Sequence, residues 1–278
     1  MERFYKLAKP DGFDFCTGKT INYRNAIGHF VKPPKADKSK GLCSDGVLHA
    51  SRNILDCFVI ATIPCSAYIV EGKPYWGDTV KCGFVRLKVI EEIFNLGELF
   101  GFKYEEVVNP LNPLKIQTEP LGGKHIELLR IWSQVCPQIW SRLWDQIWSQ
   151  IWAQTRDQVP IWDQVWIDWD QICYLQIWAQ VCSSQIWAQT KNQISHQVRG
   201  VQAMSPFWNP ISDQIRNQIR NQIYAYIGSL FPGIKLNDEI TYPFQSISDL
   251  WKSGYVTSYD GKTWRLHAGE IAEIVYEL

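Results

Sequence analysis

No glycine occurs between Lys124 and Arg199, and Asn192 is the one asparagine in that span. A β-solenoid or a run of hairpins needs Gly or Asn at regular intervals to turn the chain. Their absence excludes those architectures and favours helix. The chain also holds no Walker loop and no GxGxxG, HExxH, GxSxG or CxxC motif. The usual short signatures of nucleotide binding, zinc hydrolysis and acyl transfer therefore give no lead. Neither charge sign is in excess: Lys+Arg and Asp+Glu each number 28. Bulk electrostatics then make no case for nucleic acid or an anionic membrane. The longest apolar run, "FVIATIPCSAYIV" (58–70), is too short to cross a bilayer and contains Pro64. "MERFYKLAKPDG" lacks the apolar stretch of a signal peptide. With 8 Cys and no export signal, the expectation is reduced thiols in a cytosolic compartment.

What the chain does contain is tryptophan, 14 residues among 278. Much of it falls in a repeat on a four-residue beat, as in "DQIWSQIWAQTRDQV" (145–159). A step of four turns a helix about 400°, so a stripe at that spacing winds about 40° per unit. A straight partner helix follows such a stripe for only a few turns. The seven-residue step from Gln164 to Gln171 brings the stripe back by about 20°, whereas the five-residue steps Gln171–Gln176 and Gln180–Gln185, together with Pro137 and Pro160, predict breaks between several short helices. Within one helix Trp140, Trp144, Trp148 and Trp152 follow at i, i+4 and stack. Gln146, Gln150 and Gln154 supply donors and acceptors beside them. Two readings stand: an amphipathic core with a polar seam, or an aromatic surface that binds a partner. A second piece, "SDQIRNQIRNQIYAYI" (212–227), is expected to be a helix capped by Ser212 or Asp213.

The composition predicts an α+β protein. Residues 1–108 form a mixed α/β domain and 109–123 a linker rich in proline. Residues 124–230 form a helical repeat region and 231–278 a C-terminal hairpin region. In the first domain, 58–65, 66–72 and 82–90 read as strands, and 90–102 opens as a helix that Gly97 ends. "SYDGKTW" reads as a hairpin with a type I′ turn at Asp260–Gly261. "EIAEIVYEL" fits either a strand or a short helix.

The most pointed local feature is "LCSDGVLHAS" (42–51). Cys43 and His49 suit a metal pair or a nucleophile and its base. C-x5-H is not a metal-ligand spacing, so no metal and no cofactor are expected. The bland alternative is a buried cysteine beside a turn with Gly46 in the left-handed region. "KPPKADKSK" (32–40) reads as a solvated loop or a phosphate contact. His267 and Asp260 read as ordinary hairpin residues over Trp264.

"FYKLAKPDGFDFCTGKTINY", "LCSDGVLHAS" and "KCGFVRLKVIEEI" together resemble a small domain of uncharacterised phage and metagenomic proteins. Similar domains sit beside pentapeptide repeats, and a segment of the phage rapid-lysis B proteins is also similar. Cys43, Gly46 and His49 carry the pattern, with Lys81 and Arg86 in the closing strand. The repeat and the C-terminal stretch resemble other uncharacterised proteins with "WDQV"-like units. That resemblance implies no activity. "GVLHASRNILDCF" and "FYKL" are also similar to segments of ADP-ribosyltransferases, with Lys6 where that family has Arg or His.

The resulting expectation is a non-enzymatic binding or scaffolding protein of phage or bacterial origin, with self-association or a protein partner through the repeat and no membrane. The alternatives are a nucleotide-transfer enzyme using Cys43, His49 and Lys6, and single-stranded nucleic-acid binding through stacked Trp.

Overall fold

The computed structural model describes residues 2–39, 41–42, 44–139, 186–201, 208–231, 242 and 244–278. These divide into two compact units, one ending at Val108 and the other beginning at Asn109. Together they hold six helices and three antiparallel sheets, an α+β chain. No described helix is long and apolar enough to cross a membrane.

The first unit is built from β1 (Glu2–Ala8), β2 (Phe30–Val31), β3 (Leu48–Ala50), β4 (Ser66–Gly72), β5 (Trp76–Gly77), β6 (Cys82–Phe84) and β7 (Leu87–Ile93). One sheet has the order β1-β4-β7-β2 and the other the order β3-β6-β5. The inward faces of both meet in a core of Phe4, Tyr23, Tyr68, Val70, Phe84, Leu87 and Val89. The Phe4 and Phe84 rings meet edge to face at 4.8 Å. Period-2 alternation places Lys6 on the same side of β1 as buried Phe4. A bridge from Tyr5 to Ser51 ties the end of β3 to β1.

Three local expectations need correction. Residues 58–65 are not a strand: a 3₁₀ turn covers Leu55–Val59 and a cis Ile63–Pro64 bond follows. β7 runs on to Ile93, so the helix starts late, as α1 (Leu96–Phe100). The Asn95 side chain accepts from the Glu98 amide at its start. Gly101, at φ +74, ends it, and Gly97 lies inside. A further short helix, α2 (Tyr104–Val108), closes the unit.

The second unit contains α3 (Gly123–Ile139), α4 (Ile186–Val201), α5 (Trp208–Gly228) and α6 (Gln245–Lys252). Its sheet is β8 (Tyr255–Tyr259), β9 (Trp264–Ala268) and β10 (Glu273–Glu277), in the order β10-β9-β8. The last nine residues thus supply a strand rather than a helix. α3 continues through Pro137, where the sequence predicted a break. α5 begins four residues ahead of Ser212, with Pro210 in its first turn, where a missing N–H costs nothing. Ser212 and Asp213 therefore lie inside the helix and do not cap it. The segment 109–123 is strapped to this unit. Trp251 Nε1 donates to the Leu111 carbonyl at 3.1 Å, and the Tyr255 hydroxyl to the Glu119 carbonyl at 2.6 Å.

In α5, Ile211, Ile215, Ile219, Ile223 and Ile227 are all buried. A winding stripe stays covered because α5 packs against α4, α6 and β8. The glutamines of the same repeat do something else. Gln218 donates to the Tyr259 carbonyl and accepts from the Tyr259 amide, both at 2.8 Å. Gln222 does the same with Thr257, both at 2.9 Å. A four-residue helical step rises about 6 Å, and a two-residue strand step about 6.8 Å. The near match lets consecutive repeat glutamines pair with alternate residues of β8, closing that sheet edge as a neighbouring strand does. The drift of about 40° per step keeps such a ladder short.

The β8–β9 connection spans four residues, 260–263, and not the two of a type I′ turn. Only Gly261 has positive φ; Asp260 instead accepts from the Lys262 and Thr263 amides at 2.9 and 3.0 Å.

Candidate functional site

In the first unit β1, the loop after it, β3 and Lys81 line an open cleft of about 530 Å³. Its floor is an ion pair. Lys6 Nζ lies 2.7 Å from Asp14 Oδ2, and both side chains are nearly inaccessible. The other carboxylate oxygen of Asp14 accepts from the Cys16 and Thr17 amides at 2.8 and 2.9 Å, which folds the following loop. Burial alone would lower the Lys6 pKa, but its neighbours Tyr23 and Asp14 raise it, and at neutral pH the Asp14 carboxylate is the charge that holds the ammonium. Burial would likewise raise Asp14, but Lys6 and the two amides bring it down to about 2. Tyr23 lies beneath, its ring centroid 5.3 Å from Lys6 Nζ, and burial pushes its hydroxyl well up.

His49 reaches the cleft from β3, opposite Gly83 of β6. A Cβ on Gly83 would lie 2.8 Å from methyl groups of Leu42 and Val47, so those side chains would have to shift to admit one. The Nε2 atom of His49 contacts the Leu42 carbonyl. A carbonyl accepts, so Nε2 carries the proton and the lone pair sits on Nδ1. Burial first, then Lys6 and Lys81, lower the imidazole pKa and keep the ring neutral at neutral pH. Gly46 is not left-handed, contrary to expectation. It is glycine because a Cβ would lie 2.9 Å from the Lys35 carbonyl oxygen. That close approach brings Lys35 to the cleft wall, from the lysine-rich stretch expected to be a loop.

Thr17 and Ser44 also line the cleft. Their hydroxyl oxygens are buried and have no hydrogen-bond partner among the described residues. Sequence reasoning missed both, and missed Asp14. The signal for Asp14 was present: a lysine at an inward position of β1 needs a nearby acid, and "DFCT" is an Asx-turn sequence.

Of the candidates read from the sequence, Lys6 and His49 come together in this cleft. Cys43 lies outside the described residues, as do Trp140, Trp144, Trp148, Trp152, Gln146, Gln150 and Gln154. Cys16 is at the cleft, but burial and Asp14 raise its thiol pKa, which disfavours the thiolate. No group of three His, Cys, Asp or Glu among the described residues is arranged to hold a metal ion. In the second unit Ser258 Oγ donates to His267 Nε2 at 2.8 Å, and His267 Nδ1 donates to the Ala272 carbonyl at 2.9 Å. Ser258 and His267 are fully buried, so this pair is structural. Asp260 pairs with Arg265 at 2.6 Å. No family model, curated protein or solved structure matches the chain.

Proposed function

We propose that the protein is a non-enzymatic binding and scaffolding protein. The glutamine–isoleucine repeat serves as its body, and the cleft of the first unit is the seat of a small anionic ligand. The observation that carries this reading is the pair of buried hydroxyls of Thr17 and Ser44, without a partner among the described residues, in a cleft lined by three lysines and two aspartates. A buried hydroxyl without a partner costs about 1–3 kcal/mol, which an oxygen-rich ligand recovers. The lysines favour a phosphate or carboxylate group. Three facts support binding over catalysis. Lys6 is locked to Asp14. His49 is tied to a backbone carbonyl. The Cys16 thiol is held protonated.

The test is calorimetric titration of the full chain with inorganic phosphate and with adenosine monophosphate. Saturable binding that Thr17→Val with Ser44→Ala weakens by roughly a hundred-fold or more supports the reading, since each of the two hydrogen bonds to a charged group contributes about 1.5–3 kcal/mol. No heat at millimolar ligand, or an unchanged affinity in the double variant, removes it. A nucleotide-transfer enzyme is the second reading, favoured by the meeting of Lys6 and His49 in one cleft. It requires label transfer from, or hydrolysis of, labelled NAD, and loss of that turnover in His49→Ala.

A further inference from the structure

The first unit, residues 1–108, is close to charge balance, with 15 Lys and Arg against 13 Asp and Glu. Four of its cations nonetheless gather around exposed rings, on residues that do not line the cleft. Phe30, on β2, is 47% exposed and pairs in register with Lys88 of β7, so both side chains stand on one face of the sheet. The Arg86 guanidinium lies 4.9 Å from the Phe30 ring centroid. Tyr75, just ahead of β5, is 45% exposed, and Lys38 Nζ lies 4.6 Å from its centroid. Lys38 first, with Lys73 and Arg86, lowers the Tyr75 pKa. Arg86 thus lies over the Phe30 ring and also acts electrostatically on Tyr75.

The four cations of the patch outnumber three neighbouring carboxylates, one of which, Glu71, also stands opposite Lys88 in register. Glu71 is paired with Arg3 at 3.2 Å. Asp78 accepts from the Val80 and Lys81 amides, and Asp37 from the Ser39 amide and hydroxyl. Exposed aromatic faces set among cations suit a flexible nucleic-acid strand, whose unpaired bases stack while its phosphates meet lysine and arginine. A duplex keeps its bases stacked inside and offers these rings nothing. We propose that this face binds single-stranded nucleic acid, with bases stacking on Phe30 and Tyr75 and phosphates lying along Lys38, Lys73, Arg86 and Lys88.

The experiment is fluorescence anisotropy of a labelled oligodeoxythymidylate titrated with the full chain over a range of salt. Binding should weaken with salt, with a log–log slope of about −0.7 for each phosphate contacted. Phe30→Ala and Tyr75→Ala, both at exposed positions, should each weaken it roughly ten-fold. Arg86→Gln should make the slope shallower by about 0.7. Circular dichroism checks that each variant is folded. The proposal is overturned by no binding at low salt, by unchanged affinity in the Phe30→Ala/Tyr75→Ala double variant, or by equal affinity for a duplex. Capture by phosphatidylserine vesicles without oligonucleotide binding overturns it as well. Thr17→Val with Ser44→Ala should leave the oligonucleotide affinity unchanged, so failure here is separable from failure of the cleft reading.

Discussion

Replacing Gln222 by leucine keeps most of the side-chain volume and removes both hydrogen bonds to Thr257. Gln222 and Thr257 are fully buried, so the freed amide and carbonyl find no water. Each unpaired group costs about 1–3 kcal/mol, so the substitution should destabilise the second unit by about 2–5 kcal/mol. That is a large share of the roughly 5–15 kcal/mol that holds a domain together. Gln222→Ala adds a cavity and should be worse. Gln222→Glu sharpens the test. Its carboxylate still accepts from the Thr257 amide but turns a lone pair on the Thr257 carbonyl. The folded state then favours the protonated acid, and its pKa rises above the usual glutamate range. The Gln222→Glu penalty is therefore full at neutral pH and fades as pH falls through that raised value, when the acid proton again donates to the carbonyl. Urea titration of the full chain gives the stability change, and amide exchange at Thr257 and Tyr259 reports the ladder itself. If Gln222→Leu costs less than about 0.5 kcal/mol, or leaves Thr257 exchange unchanged, the glutamine ladder does not hold the sheet edge.

Other measurements follow from the same structure. Removing one partner of the buried Lys6–Asp14 pair, as in Asp14→Asn, should cost about 3–5 kcal/mol, and Lys6→Met with Asp14→Asn, which keeps an acceptor for the Cys16 and Thr17 amides, should recover most of it. A double variant no better than the single in urea titration would contradict that. Because the folded Asp14 pKa is lowered to about 2, its contribution is complete above the ordinary aspartate pKa and should disappear as pH falls from about 4 to about 2. His267 has a folded pKa near 4, chiefly because burial disfavours the imidazolium. Stability should then drop by about 3 kcal/mol as pH falls from 6.5 to about 4, and an imidazole resonance titrating at 6.5 would refute its burial as a neutral ring. Burial, then Asp78, raises Asp56 to about 6. Asp56→Asn should therefore stabilise the chain at pH 8 and not at pH 4, a difference that thermal melts at the two values will read.

The sequence by itself favoured helix for the repeat, because Lys124–Arg199 holds no glycine and a single asparagine, and the described residues of 124–230 include the helices α3, α4 and α5. It also marked the strand at 66–72 and the strand character of 82–90, which the structure divides into β6 and β7. The end of β7 and the 3₁₀ turn at Leu55–Val59 were not legible, because short apolar runs suit either periodicity until their neighbours are known. Ser212 and Asp213 misled for a related reason: a capping residue is defined by where the helix begins, and packing carried α5 back to Trp208. The meeting of Lys6, Asp14, Thr17, Ser44 and His49 required strands distant in the chain to pair, which no local pattern encodes. The four-residue beat shows the division most clearly. Composition placed glutamine on a helix at that spacing. Only the docking of α5 along β8 decided what the glutamines do, because a rise of about 6 Å acquires meaning when a strand with a repeat of about 6.8 Å lies beside it.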